Sequence, residues 1–296
     1  MPYIVFDRPK WSTFPHDISI DEKEHFSTMI AEQELSDIYN PLGSLLLRLY
    51  TLHQERSTAL EQFFHQDTPA PKPFIIGIAG SVAAGKSTFA NTLIQLLTAA
   101  DQPLKATVLS TDHFLFPNHV LKEGNMMDLK GFPESYDWDK LIHALHQIKL
   151  GKRTNVPIYS HETYDILDHE QTIEKADIII VEGINTLQYH SQAQGLPKLL
   201  DVTIYLDAEE RDLFQWFWKR ISELKKKAEQ DPTSYYHAFK EKSEAELLQL
   251  AQGVWDKVNG RNLYEHILPT RSHADIIIKK RSDHTIENIK IRDTFI

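Results

Sequence analysis

Residues 80 to 87 read Gly80-Ser81-Val82-Ala83-Ala84-Gly85-Lys86-Ser87, a complete G-x-x-x-x-G-K-[S/T] pattern, with Thr88 following. At average residue usage, a chain this long shows that pattern by chance on the order of one time in a hundred. Each residue type has a physical task. Glycines let the backbone turn until several N–H groups face one anion. A helix opening at that point adds the positive end of its dipole. Lys86 supplies a mobile charge suited to β- and γ-phosphates, and Ser87 a hydroxyl suited to Mg2+. The competing account is a glycine turn beside a surface lysine. Placement between a buried strand and a helix favours the phosphate loop.

Two acids stand where such a loop needs them. Asp112 lies in Ser110-Thr111-Asp112-His113-Phe114, and Glu182 in Val181-Glu182-Gly183. Both follow apolar runs that read as strands. Ligands of open α/β sheets collect beyond the carboxyl ends of strands. One acid suits Mg2+, directly or through water, and the other suits acceptance of a hydroxyl proton. Taken singly, each also fits a solvated loop acid or a helix cap. Tyr159-Ser160-His161 and Tyr164-Asp165 are expected in a loop after a strand over 156–159. They suit a polar, uncharged or weakly anionic acceptor. Most of the 15 histidines read as surface residues, and no H-E-x-x-H or comparable metal spacing occurs.

The elements that must position these residues follow from apolar patterning. Continuous apolar runs predict buried strands over 74–79, 106–110, 178–181 and 202–206. Helices are expected over 88–97, 138–149 (ended by Gly151), 209–226 and 243–262. Late strands are expected over 276–279 and 285–292. This alternation predicts an α/β chain, the three-layer P-loop fold, with a mostly parallel central sheet flanked by helices. Upstream, Ser19-Ile20-Asp21-Glu22 is a capping-box pattern opening a helix of about ten residues. Pro41 is expected to start a second helix, with Leu42, Leu45, Leu46, Leu49 and Tyr50 on one apolar face. Leu60, Phe63 and Phe64 follow, and the proline-rich stretch 68–73 reads as a stiff connector. We expect one P-loop domain over 1–296, with 1–70 as a helical N-terminal appendage packed on the sheet.

Composition narrows the function classes. The chain has 296 residues, 41% hydrophobic and 25% charged, as a globular domain requires. Its apolar runs fall short of the roughly 20 residues that span a bilayer. No basic segment followed by a long apolar one opens the chain, and there is no cysteine. Disulfides, thiolate catalysis and zinc–thiolate sites are thereby excluded, and a cytoplasmic protein without membrane association is expected. The net charge of −10 argues against general nucleic-acid binding. An anionic small molecule stays possible, because cations can concentrate locally on an acidic protein.

Several segments together resemble the bacterial type I pantothenate kinases. They are 80–88, 109–117, 118–123, Lys130-Gly131-Phe132-Pro133-Glu134-Ser135-Tyr136-Asp137, Pro157-Ile158-Tyr159-Ser160-His161, Tyr164-Asp165, Ile180-Val181-Glu182-Gly183-Ile184-Asn185 and Ile267-Leu268-Pro269-Thr270-Arg271. Phe6-Asp7-Arg8 with Trp11, and Ile38-Tyr39-Asn40-Pro41-Leu42, extend the likeness over nearly the whole chain. The resemblance implies ATP-dependent phosphorylation of pantothenate to 4'-phosphopantothenate, the first step towards coenzyme A, by a homodimer. It implies that residues 80–88 cradle ATP phosphates, that Ser87 and Glu182 serve Mg2+, and that Asp112 is the base. It places Tyr159, His161 and Asn259 at pantothenate-contacting positions and Arg220 beside the transferred phosphate. His284 falls near adenine, and Tyr235 and Tyr236 on the pantetheine side of the pocket. Without the resemblance, Arg220 reads as a surface ion pair and Asn259 as a helix-end cap.

Two positions depart from the family pattern. Phe217 stands where a tyrosine faces pantothenate. Asn91 stands where an arginine is associated with phosphate contacts to coenzyme A as feedback inhibitor, so weakened inhibition is expected. The Phe217 change leaves room for a related P-loop kinase acting on a nucleoside or sugar hydroxyl, as in the uridine kinase and phosphoribulokinase group. A nucleotide-binding regulator without catalysis is a third possibility, disfavoured by the joint presence of Lys86, Ser87, Asp112, Glu182 and Arg220.

Overall fold

A computed structural model of the chain describes residues 2–15, 30–65, 72–99, 104–189 and 195–295. The apolar runs form the strands expected of them. In chain order these are β1 (Tyr3–Asp7), β2 (Phe74–Gly80), β3 (Ala106–Ser110), β4 (Thr154–Ser160), β5 (Asp165–Ile173), β6 (Ile178–Glu182), β7 (Val202–Asp207), β8 (Ile276–Lys280) and β9 (Ile286–Arg292). Seven of them make one sheet in the order β1-β9-β8-β7-β2-β6-β3. The five strands from β8 to β3 run parallel, with Phe74 opposite Ile178, Ala106 opposite Ile178, and Ile204 opposite Ile276. β9 returns antiparallel to β8, and β1 antiparallel to β9.

Strands β2, β6 and β7 are buried along their whole length, which is why their sequences are continuously apolar rather than alternating. Successive residues still face opposite sides. Ile75, Ile179 and Val181 join Leu141 and Leu145 of one flanking helix. Ile76, Ile78 and Ile180 join Leu93, Leu42 and Leu46 on the other face. The helices used below are α1 (Asn40–Phe63), α2 (Lys86–Thr98), α3 (Trp138–Lys149), α4 (Glu210–Ala228) and α5 (Glu244–Val254). No helix among the described residues is long and apolar enough to cross a membrane.

Four expectations change. The N-terminal segment is not wholly helical: β1 is an edge strand of the main sheet, pairing Tyr3 with Arg292. Pro41 stands in the first turn of α1, as expected, but α1 does not begin from non-helical chain. Helical backbone already runs from Glu32, and a π-turn over Leu35–Tyr39 precedes α1. The wider turn accommodates a residue that lacks an N–H and crowds the preceding carbonyls. The helix after Ser243 does not end near 262 but continues through π-turns at Trp255–Asn259 and Leu263–Ile267. Finally, Tyr159, Ser160 and Asp165 are not in a loop; they belong to the β4–β5 hairpin, with Tyr159 opposite Ile166 and Ser160 opposite Asp165. The capping box at 19–22 lies outside the described residues, as does most of the connector at 68–73.

Candidate active site

β2 delivers the chain to the phosphate loop, and α2 leaves it. Gly85 caps α2 in the left-handed region at φ +82°, and a side chain there would meet Lys280 Nζ at 3.0 Å. Only glycine fits both demands. Lys86 Nζ donates to the Ser81 carbonyl at 2.9 Å. Burial pulls its pKa down, Glu182 and Asp112 oppose that shift, and Arg220 adds to it. Glu182, Asp112 and Arg220 thus all act on the Lys86 ammonium.

Ser87 Oγ donates to Glu182 Oε1 at 3.2 Å. Glu182 is buried, and desolvation raises its pKa against the pull of Lys86 and hydrogen bonds from Ser110 and Ser87. Gly183 lets the next strand end approach: a Cβ there would lie 1.8 Å from Thr111 Oγ1. Asp112 follows immediately, with its N–H donating to Ser110 Oγ at 3.3 Å and its Oδ1 accepting from Tyr136 Oη at 3.0 Å. Among the described residues no three carboxylate or imidazole side chains converge into a metal cage. A serine hydroxyl beside buried acids instead suits a small hard cation that keeps most of its shell for phosphate and water. Among the described residues the buried hydroxyls of Ser81 and Thr111 find no hydrogen-bond partner, which leaves two donors at the same loop ends.

On the β6–β3 side of the loop, aromatic side chains form a wall. Tyr159 meets His161 edge-on at 5.2 Å, Tyr164 stacks on Tyr235 at 4.8 Å, and Tyr235 meets Tyr236 at 5.4 Å. The Tyr235 N–H donates to the Glu162 carbonyl at 2.8 Å, tying this wall to the hairpin turn. Desolvation lowers the His161 pKa; Asp112 opposes it, while Arg220, Lys86 and Lys130 add to it. His113 Nδ1 accepts from the Tyr159 N–H at 2.9 Å, which requires that nitrogen unprotonated. Arg220 is exposed and has no ion pair among the described residues, so the surface-ion-pair account of it fails. Its charge also acts on Tyr236.

On the β7–β8 side lies a flat stack. His284 lies over Trp216 at 4.1 Å and 23°, in a turn where its φ is +70°. Lys280 Nζ sits 5.4 Å above the Trp216 ring and donates to the Ala84 carbonyl at 3.0 Å. Burial lowers its pKa to about 8.

Two expected residues stand apart from the tyrosine wall. Phe217 is buried with its ring 5.7 Å from Trp255. Asn259 ends the π-turn after α5 and is half-buried. Conversely, sequence reasoning passed over Lys130. Its Nζ lies 3.9 Å from the Tyr164 ring centre and 5.1 Å from that of Tyr159, and it donates to Asn118 Oδ1 and the Tyr164 carbonyl. Burial lowers its pKa to about 8, with Asp165 and Asp112 opposing. The signal was available, since Lys130 opens the 130–137 block. Lys280 was equally visible as a lysine ending an apolar strand.

A parallel sheet, a phosphate loop after β2, and acids at the carboxyl end of β6 (Glu182) and just beyond β3 (Asp112) define a P-loop kinase. The sequence profile of the phosphoribulokinase / uridine kinase family matches residues 75–231. A protein named pantothenate kinase from Halalkalibacterium halodurans is 40% identical over 306 aligned positions, covering 99% of this chain and 96% of that protein. Another so named, from Vibrio cholerae, is 36% identical over 305 positions, covering 98% and 97%. Among solved structures, D-glycerate 3-kinase from Cryptococcus neoformans matches with a TM-score of 0.60 over 85% of this chain and 99% of that one. At 13% identity that likeness is one of fold alone. The chain belongs to the pantothenate kinase family.

Proposed function

We propose that this protein transfers the γ-phosphoryl group of ATP to the primary hydroxyl of pantothenate, giving 4'-phosphopantothenate, the first step towards coenzyme A. One observation carries the reading: Lys86, Ser87, Asp112 and Glu182 interact at one site, beside an aromatic wall that holds a buried lysine. Asp112 accepts the hydroxyl proton. The freed oxygen bonds to the γ-phosphorus as the bond to the β,γ-bridging oxygen breaks, and ADP leaves. Lys86 and Arg220 spread positive charge around the moving group. Mg2+, held by Ser87 and Glu182, would neutralise phosphate oxygens. Residues 80–88 cradle the phosphates, and the His284–Trp216 stack flanks adenine. Tyr159, His161, Tyr235, Tyr236, Phe217 and Asn259 remain the pantothenate-side set, joined by Lys130. A single kinase domain is supported by β1 lying in the sheet and Trp11 in its core. A homodimer and a cytoplasmic location belong to the same reading.

The decisive assay couples ADP release to pantothenate as the only acceptor. Turnover with pantothenate supports the reading. Turnover only with a nucleoside or sugar would move the protein to the neighbouring kinase class.

Three expectations attach to named residues. Phe217→Tyr should lower the pantothenate KM, because an unpaired substrate polar group costs about 1–3 kcal/mol; an unchanged or higher KM rejects this. Asn91, exposed on α2, should leave coenzyme A a weak inhibitor. Inhibition matching that of a relative with arginine there would contradict it. Lys130 sets a pH dependence. Its pKa lies at about 8, below that of a free lysine, so the folded protein keeps this charge below that pH and loses it above. The KM for an anionic acceptor should therefore climb above pH 8, by up to about tenfold per unit. Lys130→Met should show a high KM that no longer depends on pH in that range. A wild-type KM flat between about pH 7 and 9 would remove Lys130 from acceptor binding.

A further inference from the structure

The block from Lys130 to Asp137 is the most distinctive in the sequence, yet the function above uses only its first residue. Tyr136 lies inside it, 3% exposed, with its ring 5.5 Å from Trp138. Its single hydroxyl proton goes to Asp112 Oδ1 at 3.0 Å. Burial and the Asp112 charge hold the phenol well above its ordinary pKa, so it stays a donor.

The block that carries the phenol is itself held on several sides. Asn185 is wholly buried, three residues beyond Glu182, and its Nδ2 donates to the Gly131 carbonyl at 2.9 Å. Asn262 Nδ2 donates to the same carbonyl at 2.9 Å. The block is further stitched to the segment that carries Asp112. The Phe116 N–H donates to the Ser135 carbonyl at 2.9 Å, and the Asp137 N–H to the Phe114 carbonyl at 2.8 Å. Tyr136 thus cannot drift relative to Asp112 without breaking these hydrogen bonds.

A carboxylate's terminal torsion is broad and roughly two-fold, so an untethered Asp112 samples many orientations. Tying Oδ1 fixes that torsion and leaves Oδ2 to receive a proton. We propose that Tyr136 is a positioning residue that aims Asp112 Oδ2 at the acceptor hydroxyl, with Asn185 tying its block, through the Gly131 carbonyl, to the loop that follows Glu182. The inference rests on Asp112 being the base.

Tyr136→Phe in the full-length protein tests it, since the ring that packs on Trp138 is kept and only the hydroxyl goes. The expected result is a kcat lower by about 10- to 100-fold, with KM for ATP and pantothenate unchanged to within about twofold. In an Asp112→Asn background, followed with labelled ATP, the same change should cost nothing further, because no base is left to aim. A Tyr136→Phe kcat within about twofold of wild type overturns the inference. So does an equal loss in the Asp112→Asn background, or a loss confined to KM. If Asp112→Asn alone keeps wild-type turnover, the base assignment falls and takes the inference with it. An inactive Asp112→Asn beside a fully active Tyr136→Phe overturns the inference alone.

Discussion

Lys86→Ala is expected to lower turnover by about three orders of magnitude or more while leaving the fold intact. The reason is position rather than charge alone. Lys86 is the first residue of α2, and its ammonium sits among Glu182, Asp112 and Arg220. It donates to the Ser81 carbonyl at the start of the same loop. No other lysine replaces it, since Lys280 Nζ is spent on the Ala84 carbonyl and the Trp216 face. The fold should survive because Lys86 contributes nothing to the apolar clusters on either side of the sheet. Lys86→Arg is not expected to rescue, because a planar guanidinium cannot take the place of a compact ammonium under the loop. Single-turnover measurements with labelled ATP, with circular dichroism for the fold, give the check. Turnover within about tenfold of wild type would remove the assigned role.

What the sequence made legible, and what it hid, follows from the range of the interactions. Residues 80–87 are a local device, so strand, turn and helix could be read together. Asp112 and Glu182 were legible because each ends a continuous apolar run, and parallel strands carry their ligands at that end. β1 was hidden because its partner is β9, at the far end of the chain, and its own exposure gives no clean alternation. The β4–β5 hairpin was hidden because β5 is polar and largely solvated along Asp165–Ile173. Pro41 marked the first turn of α1, but nothing in its own neighbourhood announced the helical backbone from Glu32 and the π-turn that lead into it. Lys130 was legible only as the opening of the 130–137 block; the surroundings that make it a site residue are built by the hairpin turn, distant in sequence. Charge shows the same division. A chain of net −10 gathers Lys86, Arg220, Lys130 and Lys280 around one loop. Composition alone cannot reveal such clustering.

The division of labour between the two acids, open from sequence, yields the second large effect. Asp112→Asn should reduce turnover by about 10²- to 10⁴-fold, the range for loss of a positioned general base. The amide keeps the size of the carboxylate and still accepts from Tyr136 Oη, so geometry is conserved and only proton acceptance is lost. Glu182 differs in its contacts. It is buried and hydrogen-bonded to the Ser87 hydroxyl, as suits an acid that serves a cation. Glu182→Gln should therefore be partly rescued by raising Mg2+, whereas Asp112→Asn should not respond to the metal at all. Nucleotide affinity should persist in Asp112→Asn, because Asp112 makes no hydrogen bond or ion pair with residues 80–88 and acts on them only through its field on Lys86. Titrating Mg2+ against turnover for both variants, with nucleotide binding measured in parallel, separates the roles. Rescue of Asp112→Asn by Mg2+, with none for Glu182→Gln, would exchange the two assignments: Glu182 would become the base and Asp112 the metal-side acid.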